Sequence, residues 1–100
     1  MSILDQYSDG IHQLCVRHKV KSLYAFGSVL SEKFNSGSDI DLIVDFDPID
    51  VAHYADNYFD LKFSLQDMLH RPVDLLEEKA LKNPYFKQVI NQNRKLVYGH

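Results

Sequence analysis

Apolar residues first recur with a helical rhythm. In "ILDQYSDGIHQLCVRHK" they fall at Ile3, Leu4, Tyr7, Ile11, Leu14, Cys15 and His18, with Gly10 as the weak point. The rhythm then shortens. "SLYAFGS" alternates aromatic or branched with small residues and ends in Gly27-Ser28, which predicts a strand closed by a tight turn. "VLSEKF" reads as a short helical turn, "NSGS" as a loop, and "DIDLIVDF" as a second strand stopped by Pro48. "VAHYADNYFDLKFSLQDML" has no Gly or Pro and lines up Tyr58, Leu61, Leu65, Met68 and Leu69, predicting a helix; Tyr54, Phe59 and Phe63 are assigned to the core with Tyr58. "PVDLLEE" predicts a short strand, and Asn83-Pro84 the N-cap and first position of a helix through "YFKQVINQ". "RKLVY" is either a last strand or the end of that helix. The expected fold is α/β (α+β): a small mixed β-sheet flanked by helices, with crossover connections and the strand order left open.

One stretch resists this pattern. Asp39, Asp41 and Asp45 interrupt an apolar run, and Asp47 follows it. Side chains two apart on a strand share a face and lie roughly 6–7 Å apart, so Asp39 and Asp41 converge, with Ile40 and Leu42 turned the other way. Such a pair suits a hard divalent cation, which takes one or two carboxylates together with water and phosphate oxygens. Asp74, set among apolar residues in "PVDLLEE", offers a third carboxylate for a two-metal site acting on a phosphoryl group. Gly27 lets the backbone approach a ligand, and Ser28 with the turn N–H groups can bind phosphate. The plainer alternative is a solvated acidic face. Asp45 and Asp47 are read as solvent-facing, and Asp50 as a helix N-cap. His12, His18, His53, His70 and His100 have no zinc spacing and are read as surface or packing residues, with His70-Arg71 also weighed for a substrate-side role. Tyr85-Phe86 is either core or an exposed partner contact.

Composition narrows the setting. The chain of 100 residues is expected to form a single domain over residues 1–100. A lone Cys15, on an apolar helical stretch, suits a reducing cytoplasmic location. "MSILDQYSDG" lacks the features of a signal peptide, and no apolar run reaches transmembrane length, so no membrane is expected. The net charge of −3 hides a polarity: seven acids and no Lys or Arg lie between Phe34 and Leu61, whereas Lys79, Lys82, Lys87, Arg94 and Lys95 close the chain without an acid. The basic segment is too sparse for a phosphate-tracking groove, so direct nucleic-acid binding is not expected.

Gly27-Ser28, ten intervening residues and Asp39-Ile40-Asp41 resemble the Gly-Ser-x10-Asp-x-Asp motif of the DNA polymerase β-like nucleotidyltransferases. "LYAFGS", "SDIDLIVDF" and "PVDLLEEKALKNPYF" look like the minimal nucleotidyltransferase (MNT) branch, from about Ser22 to the C-terminus. The resemblance implies that Gly27 and Ser28 hold the triphosphate of ATP, that Asp39 and Asp41 bridge two Mg²⁺ ions, and that Asp74 serves the attacking hydroxyl. It also implies transfer of AMP with release of pyrophosphate. Many relatives follow the Gly-Ser pair with small and arginine residues; here the stretch is Val29-Leu30-Ser31-Glu32-Lys33, so either Lys33 or the basic C-terminal third meets phosphate, or triphosphate affinity is modest. The implied partner is a helical HEPN toxin, which an MNT antitoxin binds and adenylylates on tyrosine. Alternatives are a non-catalytic module that silences its partner by covering it, and a small-molecule transferase, for example on an aminoglycoside, completed by a partner chain. The state of assembly, homo-dimer or hetero-oligomer, stays open.

Overall fold

The computed structural model describes residues 3–27 and 39–99. The first helical segment divides at Tyr7 into α1 (Ile3–Gln6) and α2 (Ser8–Arg17), rather than weakening at Gly10. Gly10 lies within α2, where a Cβ would come 2.4 Å from Met68 Sδ, so the missing side chain makes room for the neighbouring helix. The strands are β1 (Val20–Phe26), β2 (Ile40–Phe46), β3 (Val73–Glu77) and β4 (Lys95–Gly99); α3 (Val51–Leu69) links β2 to β3, and α4 (Pro84–Asn93) precedes β4. The final segment is therefore a strand and not a helix end. The predicted turn "VLSEKF" and loop "NSGS", with Ser28 and Lys33, lie outside the described residues.

The sheet order is β3-β2-β1-β4. β2 and β3 are parallel, joined through α3, while β1 runs antiparallel to both β2 and β4. This is the mixed sheet that the alternating rhythm predicts, and a parallel pair requires such a crossover. Ile40, Leu42, Val44 and Phe46, on one face of β2, form a single cluster with Leu61, Leu65 and Leu69 of α3 and with Ile11 and Cys15 of α2. Each fully buried aliphatic side chain of this kind stabilises the fold by about 1.5–3 kcal/mol. Cys15 is buried here, and burial pushes its thiol up to about 12.

Phe59 and Phe63 depart from expectation. They stack on each other with centroids 6.0 Å apart on the outside of α3, 48% and 54% exposed. Leu61, Leu65 and Leu69 occupy the inward stripe, and a residue two positions away points about half a turn around the helix. His18 is buried: its Nδ1 is 2.7 Å from the Leu14 carbonyl oxygen and its Nε2 2.6 Å from Asp60 Oδ2. Asn57 Nδ2 donates to the His18 carbonyl at 2.8 Å, so this corner ties α2 to α3. Asp50 stands at the N-cap of α3 but makes no capping hydrogen bond with its side chain. Asn83 does cap α4, its Oδ1 accepting from Tyr85 N at 2.9 Å and Phe86 N at 3.2 Å. Tyr85 and Phe86 themselves are exposed. On the second face of the sheet, Arg94 at the end of α4 lies 4.1 Å from the Tyr24 ring centroid, and its Nη1 donates to both carboxylate oxygens of Glu78, at 2.9 Å to Oε1 and 2.8 Å to Oε2. No helix among the described residues is long and apolar enough to cross a membrane.

Candidate active site

Parallel pairing of β2 with β3 sets Asp41 directly beside Asp74. Register partners on adjacent strands share a face, so the two carboxylates stand side by side at the starts of their strands. Asp39 precedes β2 by one residue and is exposed; Asp41 is half-buried and Asp74 exposed. Burial above all, then the charges of Asp74 and Asp39, hold the Asp41 carboxyl above its ordinary range. Three predicted acids are thus close enough to act on one another. Asp45 lies on the same face further along β2, half-buried, and Asp47 is exposed beyond the strand, so both stand apart from this end of the sheet.

β1 brings the third element. Phe26, its last residue, pairs with Asp41, and Gly27 follows in the left-handed region at φ 76°. A Cβ at Gly27 would sit 2.8 Å from Asp41 Oδ2. Glycine suits the backbone conformation, and its missing side chain leaves the Asp41 carboxylate room that a Cβ would take. Ser28 and Lys33, the remaining predicted phosphate ligands, lie outside the described residues.

The donor set is all oxygen, the kind that hard divalent cations prefer. Among the described residues, no group of three or more His, Cys, Asp or Glu side chains is arranged to hold a metal ion. Asp41 and Asp74, adjacent across the parallel pair, are of the chemical kind that could hold such a cation, which takes one or two carboxylates together with water and phosphate oxygens.

Several residues that set this geometry escaped the sequence reading. Tyr58 hydroxyl donates to the Leu75 carbonyl, and Tyr54 hydroxyl to Glu77 Oε2 at 2.6 Å, so α3 grips β3 along its length. Burial, then the Glu77 and Asp74 charges, raises the Tyr58 hydroxyl above its ordinary value. Gln66 Oε1 accepts from Val73 N at 3.0 Å, and Ile40 N donates to the Pro72 carbonyl at 2.9 Å, fixing the starts of β3 and β2 to each other. The available signal was the four-residue spacing of Tyr54 and Tyr58, which marks a buried stripe without showing that their polar tips would reach a strand.

Comparison with known proteins identifies the family. The family described as "Polymerase beta, Nucleotidyltransferase" matches residues 9–100. A protein of Methanocaldococcus jannaschii named as a protein adenylyltransferase is 38% identical over 82 residues, covering 82% of this chain and 79% of the relative. A solved minimal nucleotidyltransferase superposes with a TM-score of 0.77 at 26% identity, over 95% of both chains. A chain from the complex of tri-AMPylated HEPN toxin with MNT antitoxin of Shewanella oneidensis gives a TM-score of 0.66 at 22% identity, over 97% of this chain and 73% of that one, a likeness of fold.

Proposed function

The chain belongs to the polymerase β nucleotidyltransferase family and is a nucleotidyltransferase of minimal form, and from that premise we propose that it transfers AMP from ATP to a tyrosine hydroxyl of a HEPN toxin, as its antitoxin. The observation that carries this reading is the in-register pair Asp41–Asp74 with Gly27 packed against it. It supplies carboxylates and a close backbone approach within one strand-end cluster, which phosphoryl chemistry needs.

In this reading Gly27 and Ser28 seat the β- and γ-phosphates, with Lys33 as the cation near them. Mg²⁺, which takes one or two carboxylates with water and phosphate oxygens, would draw its protein ligands from Asp39, Asp41 and Asp74 and when bound would neutralise phosphate charge. Asp74, on the side away from Gly27, positions the acceptor hydroxyl and takes its proton. The hydroxyl oxygen bonds to the α-phosphorus, the bond to the bridging oxygen of the β-phosphate breaks, and pyrophosphate leaves. The rate gain comes from alignment, since no covalent enzyme intermediate is required. A domain this small offers little acceptor pocket of its own, so the acceptor protein completes the site in a hetero-complex. The buried, neutral Cys15 thiol is in keeping with a cytoplasmic location.

A second reading, a module that silences its partner by binding alone, is favoured by the lack of a closed three-ligand metal group among the described residues. Intact-mass spectrometry separates the two. The chain is mixed with a HEPN partner, ATP and Mg²⁺, beside a variant carrying Asp39→Ala and Asp41→Ala. The expected result is one or more AMP-sized mass steps on the partner with the parent chain and none with the variant. A stable complex without mass steps would leave the binding module.

A further inference from the structure

The outer side of α3 takes no part in the proposed reaction. His53, Asp56, Asn57, Phe59, Asp60 and Phe63 line a shallow groove of about 570 Å³ along it. We propose that this groove docks a helix of a partner protein, one that lays an aliphatic stripe against Phe59 and Phe63 and sets Lys or Arg against Asp56 and Asp60. Docking of this kind stands whether or not AMP is transferred.

Shape comes first. Val51, Ala55, Phe59 and Phe63 recur every four residues, and all four are exposed, Val51 to 94%. Residues so spaced form one ridge along a helix, here roughly 18 Å long. Ala52, Asp56 and Asp60 form the next ridge, also exposed. The furrow between two such ridges is where a ridge of a second helix packs, the commonest way for helices to meet. Ala52 and Ala55, small neighbours on the helix surface, leave a second backbone room to approach.

The surface is also built in advance. Phe59 and Phe63 stack with centroids 6.0 Å apart, and the Tyr58 ring meets Phe59 edge-on at 5.0 Å. Tyr58 in turn is tied to the Leu75 carbonyl, and Asn57 to the His18 carbonyl at 2.8 Å. With the rings already held, docking orders few side chains and costs less. Two large rings standing in water gain from being covered, and an amphipathic helix covers such a groove with apolar residues at three- and four-residue spacing.

Charge decides the occupant. The groove is lined by two carboxylates and by no Lys or Arg. Asp60 pairs with His18 through Oδ2 yet keeps its side chain 71% exposed, and Asp56 has no ion-pair partner among the described residues. A helix edged with Lys or Arg meets these groups with opposite charge; one edged with Glu or Asp is repelled. A second copy offering the same face would bring Asp56 and Asp60 toward their own counterparts, since a two-fold contact uses one patch twice. In a second copy, α4 has Tyr85, Phe86, Val89 and Lys87 exposed and would suit the charge, but a head-to-tail contact grows into filaments unless its rotation closes a ring.

Three labelled synthetic helices, each about 18 residues long, test the groove. The first carries a leucine stripe edged with lysines, and the second has the same stripe edged with glutamates. The third scrambles the first, keeping its composition and charge but no stripe. Each is titrated against the ¹⁵N-labelled chain at physiological salt, with anisotropy reading affinity and amide shifts reading place. The lysine-edged helix should bind at least about 10-fold tighter than either of the others, with shifts centred on residues 51–63. Phe59→Ser together with Phe63→Ser keeps the net charge and spares the core; it should weaken that binding at least about 10-fold and leave the melting temperature in place. Asp56→Lys should narrow the gap between the lysine- and glutamate-edged helices by about 3-fold or more. If the double variant melts far below the parent, the shift map of the parent and the Asp56→Lys titration decide the matter. Equal binding of the scrambled helix would reduce the effect to the net charge of −3 and overturn the inference. No binding, shifts away from residues 51–63, or an affinity that survives both serines would overturn it too. So would a free chain that sediments as an assembly dispersed by the two serines, because a second copy would then cover the groove.

Discussion

On one face of β2, Ile40, Leu42, Val44 and Phe46 are buried against α2 and α3; on the other, the carboxyl groups of Asp41 and Asp45 stay half-buried on either side of Ile43. The same seven-residue strand thus carries the stability of the domain and its candidate chemistry on alternate residues. The apolar face tolerates this because β2 is central, with β3 on one side and β1 on the other. Paired on both edges and packed beneath, the strand holds Asp41 beside Asp74 despite their mutual repulsion. A site on a loop would let such like charges drift apart.

The largest effect is expected on the packed face. Leu65 is fully buried in α3 within the shared core cluster. Leu65→Ala should cost about 2–5 kcal/mol, the range for large-to-small changes in a core. In a domain of this size each kcal/mol lowers the melting temperature by about 4–8 °C. Denaturant titration and calorimetry would both read it. A loss under about 1 kcal/mol would mean that α3 does not anchor the sheet as the burial pattern requires.

The packed face was legible in the sequence and the charged face only in part. The stripe of Leu61, Leu65 and Leu69 follows from periodicity alone, as does the alternation of Ile40 and Leu42 with the aspartates. The pairing of Asp41 with Asp74 does not, because register across a parallel pair is set by a crossover helix whose length and tilt no local pattern encodes. The outward turn of Phe59 and Phe63 was missed for a related reason. Hydrophobicity marked them as core, yet one helix face cannot hold every apolar residue of a 19-residue segment. The two-sided clasp of His18 between Leu14 and Asp60 was likewise hidden, since its partner lies 42 residues away.

Gly27 joins the two faces, and its substitution is the next test. Gly27→Ala places a Cβ at φ 76° and 2.8 Å from Asp41 Oδ2. The strained conformation should cost about 1–2 kcal/mol. The displaced Asp41 carboxylate should lower transfer far more than that loss of stability explains. Comparing melting temperature with the rate of AMP incorporation checks this. A proportionate fall in both would reduce Gly27 to a turn residue.

The smallest effect has the opposite sign and bears most directly on the charged face. Burial and the neighbouring Asp74 and Asp39 charges raise the Asp41 pKa. A carboxyl whose pKa is higher in the folded state favours folding when protonated and opposes it once ionised. Stability therefore falls as pH rises through that range, unless a cation intervenes. In EDTA at neutral pH, Asp41→Asn should stabilise the domain by about 0.2–1 kcal/mol, the scale of a like-charge cross-strand pair. The difference should close at acid pH, where both chains are neutral at this position. Adding Mg²⁺ should reverse the order, because a ligand of the native state stabilises the parent by about 1.4 kcal/mol at ten times its dissociation constant and does not rescue the variant. A parent chain that stays less stable than Asp41→Asn at saturating Mg²⁺ and ATP would show that the repulsion between Asp41 and Asp74 is not there to receive a cation, and the charged face would then be a binding surface.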